Sequence, residues 1–78
     1  SGSGGYFGDL KPAQAAVMAY VSQQDDDNPE GIHVGGIQRE LGAKFSPQQI
    51  KDAIEWLTVE GHLYTTIDDD HVKSTGNT

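Results

Sequence analysis

Three histidines (His33, His62 and His71) and the run Asp68-Asp69-Asp70 are the side chains in this sequence with most to offer a metal ion or a proton. Zinc asks for three or four tetrahedral ligands, and calcium for six or more oxygens spaced along a loop. Consecutive aspartates in a tight turn point in different directions and lack that spacing. His62 and His71 are expected to face each other across a hairpin, but two imidazoles without a third ligand make a poor zinc site. The expectation is therefore ordinary strand and turn residues, with no metal and no cofactor. Catalysis is expected even less. The chain has no Ser/His/Asp spacing, no glycine-rich phosphate loop and no H-E-x-x-H motif. A carboxylate pair would need a pocket to perturb it, and a domain this small offers little burial. The chain reads as a binding protein, not an enzyme.

Its charge narrows what it binds. The 78 residues carry five basic and twelve acidic side chains, a formal net charge of −7. Such a field repels nucleic acid and favours basic partners, although any single carboxylate serves solubility first. There is no cysteine, which rules out disulfides and thiolate metal sites and fits an intracellular setting. No apolar run approaches the length of a membrane span and no signal peptide is visible, so no membrane partner is expected. Residues 1–9, opening SGSGG, read as a disordered linker or cloning scar, and residues 76–78 as a disordered tail. One small domain remains, over residues 10–75.

The elements that must position any binding surface are marked by local punctuation. In FSPQQIKDAIEWLTVEG, residues 45–61, Ser46 and Gln49 form a capping box, and Pro47 stands at the first helical position. Phe45 and Ile50 staple the start, and Gly61 ends the helix. Ile50, Ala53, Ile54 and Leu57 form its buried stripe. Gln48, Asp52, Glu55 and Val59 face away, and Trp56 and Glu60 lie on one margin. A first helix is expected from Pro12 to Gln24, with Ala13, Val17, Tyr20 and Val21 inward and Leu10 packing at its start; Asp9 is a better cap type than Lys11. Met18 fits core or surface. Asp25-Asp26-Asp27 and Pro29 break that helix. Ile32-His33-Val34 is a short strand candidate. Ile37 to Leu41 is the expected second helix, weakened at its start by Gly35-Gly36 and stopped by Gly42. His62 to Ile67 alternates as a strand, with Leu63, Thr65 and Ile67 on one face and His62, Tyr64 and Thr66 on the other. Asp68–Asp70 then turn into His71-Val72-Lys73. Helix–turn–helix followed by a hairpin is an α+β, winged helix-turn-helix arrangement: three helices with a small antiparallel sheet and residues 46–60 as the third helix.

A winged helix that reads duplex DNA presents basic and amide side chains from its third helix and wing. From Ser46 onward this chain has two basic residues, Lys51 and Lys73, against six acidic ones, and Gln49 is committed to its cap. Duplex binding remains the alternative reading; protein binding has the better surface. Tyr64 offers an amphipathic face, and Glu60 and Asp69 offer charge for a basic amphipathic helix laid across Tyr64 and Val59. On residue chemistry alone, Tyr64 as contact and Tyr64 as simple cover for the sheet are equally open.

The run from Glu60 to Thr75, EGHLYTTIDDDHVKST, resembles the end of the middle subunit of replication protein A, the eukaryotic single-strand-DNA-binding trimer. Pro29-Glu30-Gly31 and the helix-three residues Ile50, Lys51, Ala53 and Leu57 are similar too, so the resemblance runs from about Leu10 to Thr75. It implies a nuclear winged-helix domain that binds no nucleic acid directly and recruits repair, recombination and replication proteins through their short basic helices. The docking positions it implies are Glu60, Tyr64, Thr65, Thr66, Asp69 and Thr75. Val59 belongs to the same surface but departs from the pattern, being apolar where a polar residue is usual. Gly35-Gly36 departs as well. Contacts with the other subunits of the trimer, and single-strand binding by an OB-fold, are implied to lie in regions outside this chain.

Overall fold

Ser46 Oγ accepts the Gln49 amide at 3.2 Å, and Gln49 Oε1 accepts the Ser46 amide at 2.9 Å. Both arms of the capping box thus close, and α3 (Pro47–Glu60) starts where its residue types direct. At the other end Gly61 takes φ 92°. Its amide donates to Thr58 O at 3.2 Å, and the His62 amide donates to Leu57 O at 2.8 Å. This pair of bonds is a Schellman motif, which satisfies the last carbonyls and turns the chain back over the helix end.

The computed structural model describes residues 10–75, so the expected disordered ends, residues 1–9 and 76–78, lie outside the described residues. The other elements are α1 (Pro12–Gln24), β1 (Ile32–His33), α2 (Val34–Leu41), β2 (Leu63–Thr65) and β3 (His71–Ser74). β3 lies centrally, antiparallel to β1 on one side and to β2 on the other. This is the expected winged helix: three helices against one face of a small antiparallel sheet.

α1 has the expected bounds. Its N-cap is Lys11, without a side-chain cap, while Gln14 Oε1 reaches back to the Lys11 amide at 3.0 Å; Asp9 is outside the described residues. After α1, Asp25–Asp27 form one 3-10 turn. Asp25 then does more than end a helix. Its carboxylate accepts from the Ser74 hydroxyl and amide, and its carbonyl accepts from Lys73 Nζ at 3.3 Å. The acidic loop thereby holds the central strand.

Three expectations need correction. α2 begins at Val34, three residues earlier than expected, and takes in the glycine pair. The reason is an unexpected cap: His33 Nδ1 accepts the Gly35 amide at 2.9 Å, which satisfies an orphan donor of the first turn. Val34 is accordingly helical and not part of β1. Of the expected row Leu63, Thr65 and Ile67, only Leu63 is buried; Thr65 is exposed and Ile67 does not belong to the strand. β2 ends at Thr65, and Ile67 is 61% exposed. Finally, His62 and His71 are not opposite. The register pairs His71 with His33 across β1–β3, with ring centroids 5.0 Å apart, edge to face, while the His62 carbonyl accepts the Thr75 amide.

The core draws on every element. Val17, Met18 and Val21 of α1 meet Ile37 of α2 and Ile50, Ala53, Ile54 and Leu57 of α3. Ile32, Leu63 and Val72 close it from the sheet, and Leu10, Ala13, Tyr20, Val34, Leu41 and Phe45 pack around its rim. Met18 is core. Among the described residues no polar or charged residue is buried, so the core is apolar and polar function is left to the surface. No helix of the described residues is long and apolar enough to cross a membrane.

Candidate docking site

The wing is the β2–β3 hairpin, and its geometry is fixed by short-range bonds from polar turn residues. Asp68 Oδ1 accepts the Asp70 amide at 2.9 Å and the His71 Nδ1–H at 2.8 Å. The Thr66 amide donates to His71 O at 3.0 Å, closing the turn. The Thr66 hydroxyl donates to the Glu30 carbonyl. Gly31, at φ 100°, makes room for it, since a Cβ there would stand 2.6 Å from Thr66 Oγ1. The Asp70 carbonyl accepts the Val34 amide at 2.8 Å. The wing is thereby fastened to the start of α2 and to the loop before β1. The hydrogen bond from His71, with those of the Asp70 and His71 amides, holds the Asp68 carboxyl below its ordinary value of 3.8.

Between wing and α3 lies an open groove of about 440 Å³. Val34, Ile54, Val59 and Val72 give it an apolar floor and wall, Glu55, Asp69 and Asp70 rim it with carboxylates, and Lys51 is its one cation. Val59 is 75% exposed, an aliphatic side chain held on a helix surface beside a negatively charged rim. The Thr58 hydroxyl also lines the groove, but it is engaged by Ile54 O at 2.8 Å.

Of the seven expected docking residues, the fold brings Val59, Thr65 and Asp69 together in this groove. Tyr64 lies next to Thr65 on β2, and alternation turns it to the other face of the strand, where it is 44% exposed. Thr66 is half-buried and its hydroxyl is engaged within the fold. Glu60 is exposed at the last position of α3, and Thr75 is exposed just beyond β3, bonded to the His62 carbonyl. The seven are thus distributed over both faces of β2, the wing turn, the end of α3 and the residue after β3, and do not share a single cavity. Trp56 and His62 stack at the end of α3, with ring centroids 5.8 Å apart and planes 26° from parallel. Sequence reading placed Trp56 only on a helix margin. The signal for the stack was the Schellman glycine, because the residue after such a glycine packs back on the last turn.

His33 and His71 adjoin and Asp68 bonds to His71, but no group of three or more His, Asp or Glu suited to a metal occurs among the described residues. As for DNA, Lys73 Nζ is engaged by the Asp25 carbonyl, so Lys51 is the remaining cation from Ser46 to Thr75.

Fold and surface together define a winged helix with an acidic, partly apolar face in place of a basic one. Comparison with known proteins makes the class definite. A family model described as "Replication protein A C terminal" matches residues 2–70. The Replication protein A 32 kDa subunit-A of Xenopus laevis is 58% identical over 66 residues, which are 85% of this chain and 23% of that protein. Replication factor A protein 2 of Schizosaccharomyces pombe is 37% identical over 65 residues, 83% of this chain and 22% of that protein. The Replication protein A 32 kDa subunit of Mus musculus is 45% identical over 47 residues, 60% of this chain and 17% of that protein. The chain belongs to the replication protein A C-terminal family. It spans about a fifth of the length of these curated relatives.

Proposed function

We propose that this domain is a protein-recruitment module: it binds short basic amphipathic helices of DNA repair, recombination and replication proteins on its acidic wing side, in the nucleus. The parent protein would be a subunit of a single-strand-DNA-binding trimer, whose other subunits it meets through regions outside this chain. The observation that carries the reading is the groove between α3 and the wing, where apolar Ile54, Val59 and Val72 run beside Glu55, Asp69 and Asp70. An amphipathic helix with Lys or Arg flanking an apolar stripe complements both features. A phosphate backbone complements neither, since contacts to phosphate require basic side chains. Tethered near single-stranded DNA, such a module raises the local concentration of whatever it binds.

The test is a pair of titrations of ¹⁵N-labelled domain, one with a basic amphipathic helical peptide and one with a DNA duplex. Amide shifts between Val59 and Asp69 with peptide, and none with duplex, are expected. Shifts along the exposed face of α3 with duplex and none with peptide would replace recruitment by duplex binding.

A further inference from the structure

The docking residues Glu60 and Thr75 frame a feature that none of the expected positions includes, the stack of Trp56 on His62. Trp56 stands one turn before Glu60 on α3, so the two side chains share a face. The indole keeps 38% of its surface in solvent. His62 holds it flat from beneath, and His62 is itself fixed: its amide donates to Leu57 O and its carbonyl accepts the Thr75 amide. An immobilised aromatic face one helical turn from a carboxylate that has no partner among the described residues is a site for a planar cation. Guanidinium can stack on the indole while its N–H groups pair with Glu60; an ammonium group is a compact point charge that does not stack. The nearest cation of the sheet does not compete. Lys73, paired in register with Tyr64, has its Nζ on the Asp25 carbonyl.

We infer that Trp56, seated on His62, is a specificity-determining residue of the docking surface and selects arginine over lysine in the partner helix at the position facing Glu60. This rests on the recruitment reading and adds the chemistry of one partner residue to it. The site also extends the docking surface past the wing groove onto the margin of α3.

Two versions of one basic amphipathic helical peptide, one carrying arginine and the other lysine at every basic position, test it by calorimetry and by the Trp56 indole N–H signal. The arginine peptide should bind about two- to fivefold more tightly, as expected for one exposed cation–π contact, and should shift the indole signal. Trp56→Gln should abolish that preference by weakening the arginine peptide more than the lysine peptide, until the two bind alike; its amide spectrum checks that the fold is retained. Equal affinities for the two peptides with an unmoved indole signal would overturn the arginine selection while leaving recruitment standing. Equal weakening of both peptides by Trp56→Gln would overturn it too, by reducing Trp56 to a general contact. Binding of neither peptide would remove both readings.

Discussion

Asp68 and His71 show how a residue expected to do chemistry serves structure instead. The aspartate run suggests a cation site, yet the exposed Asp68 carboxylate is taken up by the Asp70 amide and the His71 ring, so it caps a turn. Because its folded-state pKa is lowered, the ionised form is favoured by folding. Its contribution is fully present above about pH 4 and is lost as pH falls from 3.8 through the lower folded value. The expected result is a carboxyl titration midpoint for Asp68 below 3.8, moved up toward that value by His71→Ala, as followed by side-chain carboxyl NMR. A midpoint indifferent to His71 would mean that the ring contributes nothing to the turn. The histidine pairing was misread from sequence because it depends on register: with Thr66 closing on His71, His62 lies four residues too far along the strand to meet it. A register is a property of two strands and a turn together, and no single residue type announces it.

The elements divide by whether their boundaries are set locally. α3 was legible from end to end, since its cap, proline, staple and terminal glycine lie within the helix or next to it. Its buried stripe of Ile50, Ala53, Ile54 and Leu57 was legible for the same reason. α2 was legible only from Ile37 because its start depends on an imidazole acting as cap, a role more often taken by Ser, Thr, Asp or Asn. β2 was overextended because alternation continued in the sequence after the Thr66 hydroxyl had been captured by Glu30. The α2 geometry makes a further prediction. A Cβ on Gly36 meets nothing within 4 Å, whereas one on Gly35 comes within 3.0 Å of His33 Nδ1. Gly36→Ala should therefore stabilise the domain by up to about 1 kcal/mol in urea denaturation, since alanine loses less backbone entropy in a helix. Gly35→Ala should give a smaller gain or a loss, because the new methyl presses on the cap. Equal gains at both positions would show that the imidazole bond contributes little to starting α2.

At the scale of the molecule, a core in which no polar residue is buried among the described residues leaves the acidic surface free to be tuned without loss of fold. The net charge of −7 acts over a Debye length of about 8 Å at physiological salt, so on the proposed reading it would guide a basic helix only at close approach. The residues that guide it should then be separable from those that hold the fold. Glu60 and Asp69 are both exposed, the first ending α3 and the second on the rim of the wing groove. An exposed ion pair contributes about 0.2–1 kcal/mol, and reversal replaces attraction by repulsion of similar size. Glu60→Arg and Asp69→Arg should each weaken a basic helical peptide by about twofold to thirtyfold, most of it in the association rate. Neither should move the thermal unfolding midpoint, and the affinity of the unaltered domain should fall as salt rises. The combination decides the mechanism. Unchanged affinity in both variants would separate the peptide from the acidic face, and a flat salt titration would mean that Val59 and the apolar floor of the groove hold the partner unaided. Weakened binding with an unmoved midpoint and a steep salt slope is the signature of a surface kept acidic for recruitment.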